Sequence, residues 1–374
     1  MSLWFTASAA APELIERWSL EPGEAGWLTS AVQLGFVVGT FLAAVLNLAD
    51  LLPGRAYFVI SAILGATANA ALAAAPGFRT ALLLRFLTGA SLAGVYPPAM
   101  KMIATWFRSA RGLAVGILIG SLTLGKGLPY LIRGLVGDDL TLLLLLSSLG
   151  AVAAAALVGV SYRDGPHPFE RRPFSWSLAG SVLRHRETRL AIGGYLGHMW
   201  ELYAMWTWAP AFIAASLSRS GGVVSRATGD LIAFGALATG ALGCLWGGWA
   251  SDRIGRERLV SLAMAASGAC CLLVGAVYGQ DPALLTLMTW TWGFFVVADS
   301  AQFSTLVTEL APPHAVGTAL TLQTCLGFLL TAIPIQIVPF LAERWGWRWA
   351  FPILAAGPIA GIGAIRRLAG ARAA

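Results

Sequence analysis

Long apolar stretches recur about every thirty residues along this chain, each close to the ~20 residues that cross a ~30 Å hydrocarbon core. Lipid offers no hydrogen-bond partner to a peptide group, so a chain patterned this way must satisfy its backbone within helices. Of the 374 residues, 57% are hydrophobic and 11% charged, against roughly 25% charged in an ordinary soluble domain. The expected fold class is an all-α polytopic membrane protein, with the lipid bilayer as its first partner. A formal charge of +7 would suit a nucleic-acid binder, but the arginines fall in short clusters between apolar runs, where they anchor helix ends. No nucleic acid is expected. Cys244, Cys270, Cys271 and Cys325 lie inside apolar runs without metal-type spacing, so neither disulfides nor a metal site is expected.

The hydropathy places spans near residues 1–14 (short), 26–49, 55–75, 79–106, 111–134 and 139–161, then near 189–215, 230–250, 258–278, 283–308, 315–341 and 348–367. The Arg- and Pro-rich segment between the sets could not cross a bilayer. Three parts follow: an N-terminal six-helix bundle (1–162), a linker (163–188) and a C-terminal six-helix bundle (189–374). Arg55, Arg108, Arg111, the linker arginines, Arg253, Arg256, Arg258, Arg366, Arg367 and Arg372 share one side of this topology. The positive-inside rule makes that side cytoplasmic, with linker and C-terminus inside and the protein multi-pass in the plasma (inner) membrane.

The halves resemble each other. "RSARGLAVG" answers "PPHAVGTAL", setting Gly112 against Gly317, and "NLADLLPGR" answers "GGWASDRIGRER", setting Asp50 against Asp252. Two parallel six-span repeats suit a transporter whose halves rock about a central site. "SAAAPELI" matches "TWAPAFIA", with Pro12 opposite Pro210, so Met1 falls opposite Met199. By that comparison about nine residues of the first span are missing, and an upstream start or truncated gene model is expected. The opening "MSLWFTASAAAPEL" has the Ala-rich end of a signal peptide but not its basic leading region or full apolar core.

"GGWASDRIGRER", with Gly248, Asp252, Arg253, Gly255, Arg256 and Arg258, is the most specific string. Glycine permits close helix approach there, and Asp and Arg can pair across helix ends. The string resembles the gating-loop signature of the major facilitator superfamily, and the first copy keeps only Asp50 and a displaced Arg55. "RFLTGASLAGVYPPAM", with Arg85, and "WFRSARGLAVGILIGSLTLG" also resemble that family. In the latter Gly112, Gly116 and Gly120 form a small-residue seam. The resemblance covers nearly the whole chain and implies twelve helices in two bundles, with spans 1, 4, 7 and 10 lining a central cavity. It implies a transporter, acting as a monomer and needing no cofactor.

Two other motifs carry little weight. "GSLTLGKG" nearly spells a phosphate-binding loop, but Gly127 replaces its Ser/Thr and no strand precedes it. His198 and Glu201 stand one helical turn apart but lack the third and fourth ligands of a metal site.

Charges within spans are costly and usually face a cavity or a partner. Glu201, Asp299, Arg85, Lys101 and Lys126 are of this kind. Glu201 and Asp299 are expected at similar depth, roughly 18 and 15 Å from one face at 1.5 Å per residue. They are proton carriers or substrate contacts, or else structural partners of Arg85, Lys101 or Lys126. Lys101 lies near the cytoplasmic face, where its ammonium can snorkel. His198, Glu201, Met205 and Trp208 form one stripe, and Asp299 and Gln302 share a face. Three basic groups against two acidic ones lean towards an anionic substrate.

The function expected is secondary active transport of a small solute by alternating access, coupled to protons. The alternative is a sensor or scaffold that keeps the fold without transport, to which the degenerate first loop gives weight. An enzyme is not expected, because no nucleophile and base pair is legible.

Overall fold

The computed structural model describes residues 1–107, 111–167, 175–220 and 225–373, and their regular structure is entirely helical. Arg108, Arg171 and Arg172, and the side chains of Asp50 and Arg111, lie outside the described residues. The first-span position holds a turn at Ser2–Trp4 and short helices Thr6–Ala9 and Ala11–Trp18. Spans 2 and 3 are Pro22–Val45 and Gly54–Ala71, span 5 is Arg111–Val136 and span 6 is Leu140–Ser161. Span 7 is Arg186–Arg219, span 8 Arg226–Ile254, span 9 Arg256–Leu273, span 11 Val316–Trp345 and span 12 Ala356–Ala373.

Spans 4 and 10, expected as single helices, are broken. Span 4 is Phe78–Leu92 then Tyr96–Ala104, with Pro97 and Pro98 in the first turn of the second piece. Prolines cannot donate to the preceding turn but fit a helix start, so the break falls just before them. Span 10 is Pro282–Ala298 then Ser300–Leu310, and Asp299 is the junction. Such breaks within a membrane are tolerated where the freed backbone is buried in protein or lines a cavity.

Among the described residues, ten helices are long and apolar enough to cross a membrane. The two expected spans not among them are the short first one and span 7. Span 7 has 34 residues, roughly 51 Å at 1.5 Å per residue, but its apolar run is diluted by His198, Glu201 and their neighbours. Those side chains are buried inside the protein, whereas Leu87, Leu135, Leu157, Val160, Leu242, Leu329 and Ile359 are exposed on the outer faces. Exposed apolar surface of this kind is what lipid solvates.

The repeat is visible in packing. A Cβ on Gly35 would lie 2.0 Å from the Phe86 carbonyl oxygen and one on Gly39 2.6 Å from that of Ala90, where spans 2 and 4 cross. In the C-terminal half Gly243 meets Phe294 at 2.1 Å and Gly247 meets Ala298 at 1.9 Å, where spans 8 and 10 cross. Each residue of the second set stands the same number of positions after its counterpart. That register sets Asn47 (φ 51°) against Gly255 (φ 86°) at the ends of spans 2 and 8. It therefore places Ala44, and not Asp50, opposite Asp252. The close approach falls to Gly247, since Gly248 faces open space.

The Gly255 backbone (φ 86°, ψ 150°) lies in a region essentially confined to glycine. Gly255→Ala is expected to cost about 1–3 kcal/mol and to lower the thermal midpoint of the detergent-purified protein. Asn47→Gly should leave it nearly unchanged, because Asn47 (φ 51°, ψ 35°) is in the left-handed region that glycine enters freely.

The linker contains a helix, Trp176–Arg184, that packs on the C-terminal half. Val182 is wholly buried in a cluster with Ile192, Phe303 and Val316, and the Ser175 N–H donates to Thr318 Oγ1 at 3.0 Å. The small-residue seam of span 5 packs on span 8 of the other half, a Cβ on Gly120 lying 3.3 Å from the Ala241 carbonyl and one on Gly116 3.7 Å from that of Cys244.

Candidate central cavity

The halves are clamped together at the end remote from the linker. Glu13 accepts from Arg133 at 2.8 Å and from Arg226 at 2.7 Å, Arg133 also reaches Asp230 at 3.3 Å, and Arg226 pairs with Asp138. Glu13, Arg133 and Asp138 belong to the N-terminal half, Arg226 and Asp230 to the C-terminal half. A network shared among several charges holds where a lone exposed pair contributes little. In sequence these residues look like ordinary helix-end anchors, which is why the network was not legible. Spans 2 and 11 continue the seal: Gln336 bonds Ser30 at 3.3 Å, Thr331 bonds Gln33, and the rings of Phe36 and Phe328 stand 4.7 Å apart.

Below the clamp, on the linker side, lies an aromatic roof. Trp4 packs edge-on to Phe36 at 5.1 Å and against Phe328 at 5.4 Å, and Tyr203 lies 5.0 Å from Phe328 and 5.3 Å from Trp206. Lys126 enters this roof from span 5. Its ammonium donates to the Tyr203 hydroxyl and stands 4.4 Å from the Tyr203 ring, 4.6 Å from Trp206 and 4.7 Å from Trp4. Ring faces stabilise a desolvated cation, and Lys126 is 2% exposed with no carboxylate in ion-pair range among the described residues.

The cavity beneath has about 100 Å³ open to the centres of water-sized molecules, several times the ~10–15 Å³ one water needs on that measure. Spans 4, 5, 7, 10 and 11 supply its polar lining, including Tyr96, Thr123, Lys126, Tyr195, His198, Tyr203, Ser300, Ser304 and Thr324. Among the described lining residues the ionisable side chains are Lys126, His198 and three tyrosines, and none is acidic. His198 Nδ1 lies 2.9 Å from Asp299 Oδ1, and its Nε2 lies 2.8 Å from Ser300 Oγ. Asp299 sits behind the histidine, 1% exposed, at the break in span 10.

The expected depth match of spans 7 and 10 thus brings together His198 and Asp299. Glu201 faces elsewhere. It accepts from Trp292 Nε1 at 2.6 Å, Ser267 Oγ at 2.8 Å and Cys271 Sγ at 3.1 Å, inside the C-terminal bundle. The cavity face of span 7 runs through Tyr195, Met199, Leu202 and Trp206. At 100° per residue, the step from His198 to Glu201 turns away from that face. The stripe of His198, Glu201, Met205 and Trp208 therefore leads into the bundle, where Trp208 Nε1 donates to the Ile335 carbonyl at 2.8 Å. Gln302 is buried without lining the cavity. Tyr195, Tyr203, Trp206 and Ser300 bring no charge into an apolar run and so carry no signal in sequence, although Ser300 directly follows Asp299.

Arg85 is fully buried and donates to the carbonyls of Leu28 (3.3 Å), Leu3 (2.8 Å) and Trp4 and to Asn69 Oδ1 (3.2 Å). The irregular backbone around Trp4 leaves carbonyls without helical partners, and the guanidinium fork collects them. Arg85→Met strands these acceptors at about 1–3 kcal/mol each. The expected result is a large fall in thermal midpoint, and thermal melts of the purified variant check it. In the loop signature, Arg256 pairs with Glu309 at 2.9 Å and Arg253 stacks 3.9 Å over Trp249. Asp252 and Arg258 are exposed, with no ion pair to another described residue. Lys101 lies at the linker-side end of span 4.

Helices long and apolar enough to cross a membrane, an internal repeat in their crossings and an enclosed polar chamber define an all-helical polytopic membrane protein. The chain belongs to the Major Facilitator Superfamily, whose family model matches residues 1–333 and 193–371. It is 30% identical over 124 residues to the niacin transporter NiaP of Acinetobacter baylyi, a match covering 33% of this chain and 27% of that protein. Two solved structures share the fold. A bacterial homologue of the human lysosomal transporter Spinster, in an inward-facing and occupied conformation, superposes with TM-score 0.73 and 14% identity, over 98% of this chain and 94% of that one. The Escherichia coli fucose:proton symporter FucP superposes with TM-score 0.69 and 16% identity, over 98% and 96%.

Proposed function

We propose that the protein is a secondary transporter that carries a small organic monoanion together with protons across the plasma (inner) membrane, by alternating access of the central cavity. The observation that carries this reading is Lys126. It is a buried ammonium within the cavity lining, surrounded by rings and hydroxyls and lacking an acidic partner among the described residues. A desolvated cation with neutral ligands is a ready site for a carboxylate, because a charge-assisted hydrogen bond gains where water is excluded. The flanking aromatic rings suit a flat solute. The partial likeness to a niacin transporter supports an aromatic acid, and the likeness to a fucose:proton symporter supports coupling to protons.

With the linker side cytoplasmic, the clamp and aromatic roof seal the periplasmic side. The cavity then belongs to the inward-directed state of the cycle. Outward opening requires the Glu13, Arg133 and Arg226 network and the span 2 to span 11 contacts to separate, a rigid-body rocking of the two halves. The test is substrate-screened uptake by proteoliposomes, using nicotinate, benzoate, neutral amides and cationic amines. Saturable uptake restricted to the acids is expected. Uptake confined to amides or amines would refute the anion reading.

A further inference from the structure

We propose that His198, Asp299 and Ser300 form a proton-operated switch that creates a hydrogen-bond donor for the anion in the cavity. It rests on the anion-and-proton reading above and assigns the proton to a site. A carboxylate only accepts hydrogen bonds, and Asp299 Oδ1 is buried without a hydrogen-bond partner among the described residues, 2.9 Å from His198 Nδ1; the switch places the resting imidazole hydrogen on Nδ1, beside that oxygen. Nε2 is then a lone pair and accepts the Ser300 hydroxyl hydrogen across 2.8 Å. The hydroxyl is thereby occupied, and Ser300 offers the cavity only acceptor lone pairs.

Proton uptake reverses the second bond. The incoming proton adds to Nε2, giving an imidazolium paired with the Asp299 carboxylate. Its new N–H donates to Ser300 Oγ. The hydroxyl hydrogen can no longer point at the ring and turns to the cavity, which Ser300 lines. One proton is bound, no other bond forms or breaks, and a donor is available to a carboxylate already drawn by Lys126. Anion and proton then favour each other's binding, which is the reciprocity that co-transport requires. Asp299 is placed to shift with the switch, because the two helical pieces of span 10 meet at it.

Other titratable groups surround the switch without replacing it. Span 7 brings Tyr195, whose ring lies 6.2 Å from the imidazole, and Glu201, already satisfied by Trp292, Ser267 and Cys271. Span 5 brings Lys126, span 4 Tyr96 and span 8 Cys244, whose thiol contacts the Val297 carbonyl at 3.6 Å. Span 11 brings Thr324 and Phe328, and span 12 packs Gly357 and Gly361 on Gly197, so neither adds a charge among the described residues. The Phe303 ring at 5.3 Å covers the remaining face.

The test uses the full-length protein in detergent with benzenesulfonate, whose charge does not change over the pH range used. Its affinity is measured between about pH 5.5 and 7.5, across which a histidine ordinarily exchanges its proton. In parallel, infrared difference titration, with His198→Gln as the reference, reports protonation of His198 itself. The unsubstituted protein is expected to bind about tenfold more tightly at the acid end, as one hydrogen bond to a charged group allows. Ser300→Ala should bind with little pH dependence while His198 still titrates, and His198→Gln should likewise lose the dependence. A Ser300→Ala protein that keeps the full pH dependence would overturn the switch, as would a His198 that exchanges no proton in this range. Absence of benzenesulfonate binding at every pH overturns the anion reading and the switch with it, whereas pH-independent binding overturns the switch alone.

Discussion

Lys126→Gln is expected to raise the KM for benzoate and benzenesulfonate uptake by about 10- to 100-fold, the range that loss of a charge-assisted hydrogen bond of ~1.5–3 kcal/mol gives. The amide can still reach the Tyr203 hydroxyl but brings no charge to an incoming anion. Lys126→Arg should recover only part of the loss. Three rings at 4.4–4.7 Å enclose a compact ammonium, and the wider planar guanidinium does not occupy that volume equivalently. Initial rates in proteoliposomes, normalised to reconstituted protein, check both. An unchanged KM in Lys126→Gln would remove the lysine from substrate binding.

The second large effect is structural and separates two adjacent glycines. Gly247→Val should leave little monodisperse protein after extraction, because its Cβ would lie 1.9 Å from the Ala298 carbonyl oxygen where spans 8 and 10 cross. The helices must part by more than an ångström to admit it, beyond the ~1–3 kcal/mol of ordinary overpacking, since backbone and not a flexible side chain is in the way. Gly248→Val should behave as wild type, as nothing lies within 4 Å of a Cβ there. Size-exclusion profiles and thermal melts of the pair decide the matter. Equal behaviour would contradict the crossing geometry.

Helical class and family membership were legible in the sequence, because each rests on pattern over many residues. Apolar length reports a membrane span whatever its neighbours, and the "GGWASDRIGRER" turn ends span 8 at Gly255, as its glycine requires. The site was legible only in part. Lys126, His198 and Asp299 could be flagged because charge inside an apolar run is costly. Their partners depend on how helices rotate against one another. Glu201 and His198 stand one turn apart, yet only the histidine reaches the cavity. Arg85 resembles a substrate contact in sequence, whereas its ligands are carbonyls of an irregular segment whose conformation no local pattern encodes. The repeat misled at Asp50 because a loop of different length follows span 2, and only helix packing fixes the register.

Carriage of an anion with protons through the chamber beneath Lys126 is read out by accumulation of radiolabelled benzenesulfonate in proteoliposomes under an imposed proton gradient. A sulfonate remains charged and cannot cross lipid as a neutral acid, so a gradient alone does not concentrate it. Accumulation above the external concentration with the gradient directed inward, collapse on adding a protonophore, and near-baseline uptake in Lys126→Gln are expected. Accumulation indifferent to the protonophore, or equal in Lys126→Gln and the unsubstituted protein, would contradict such carriage.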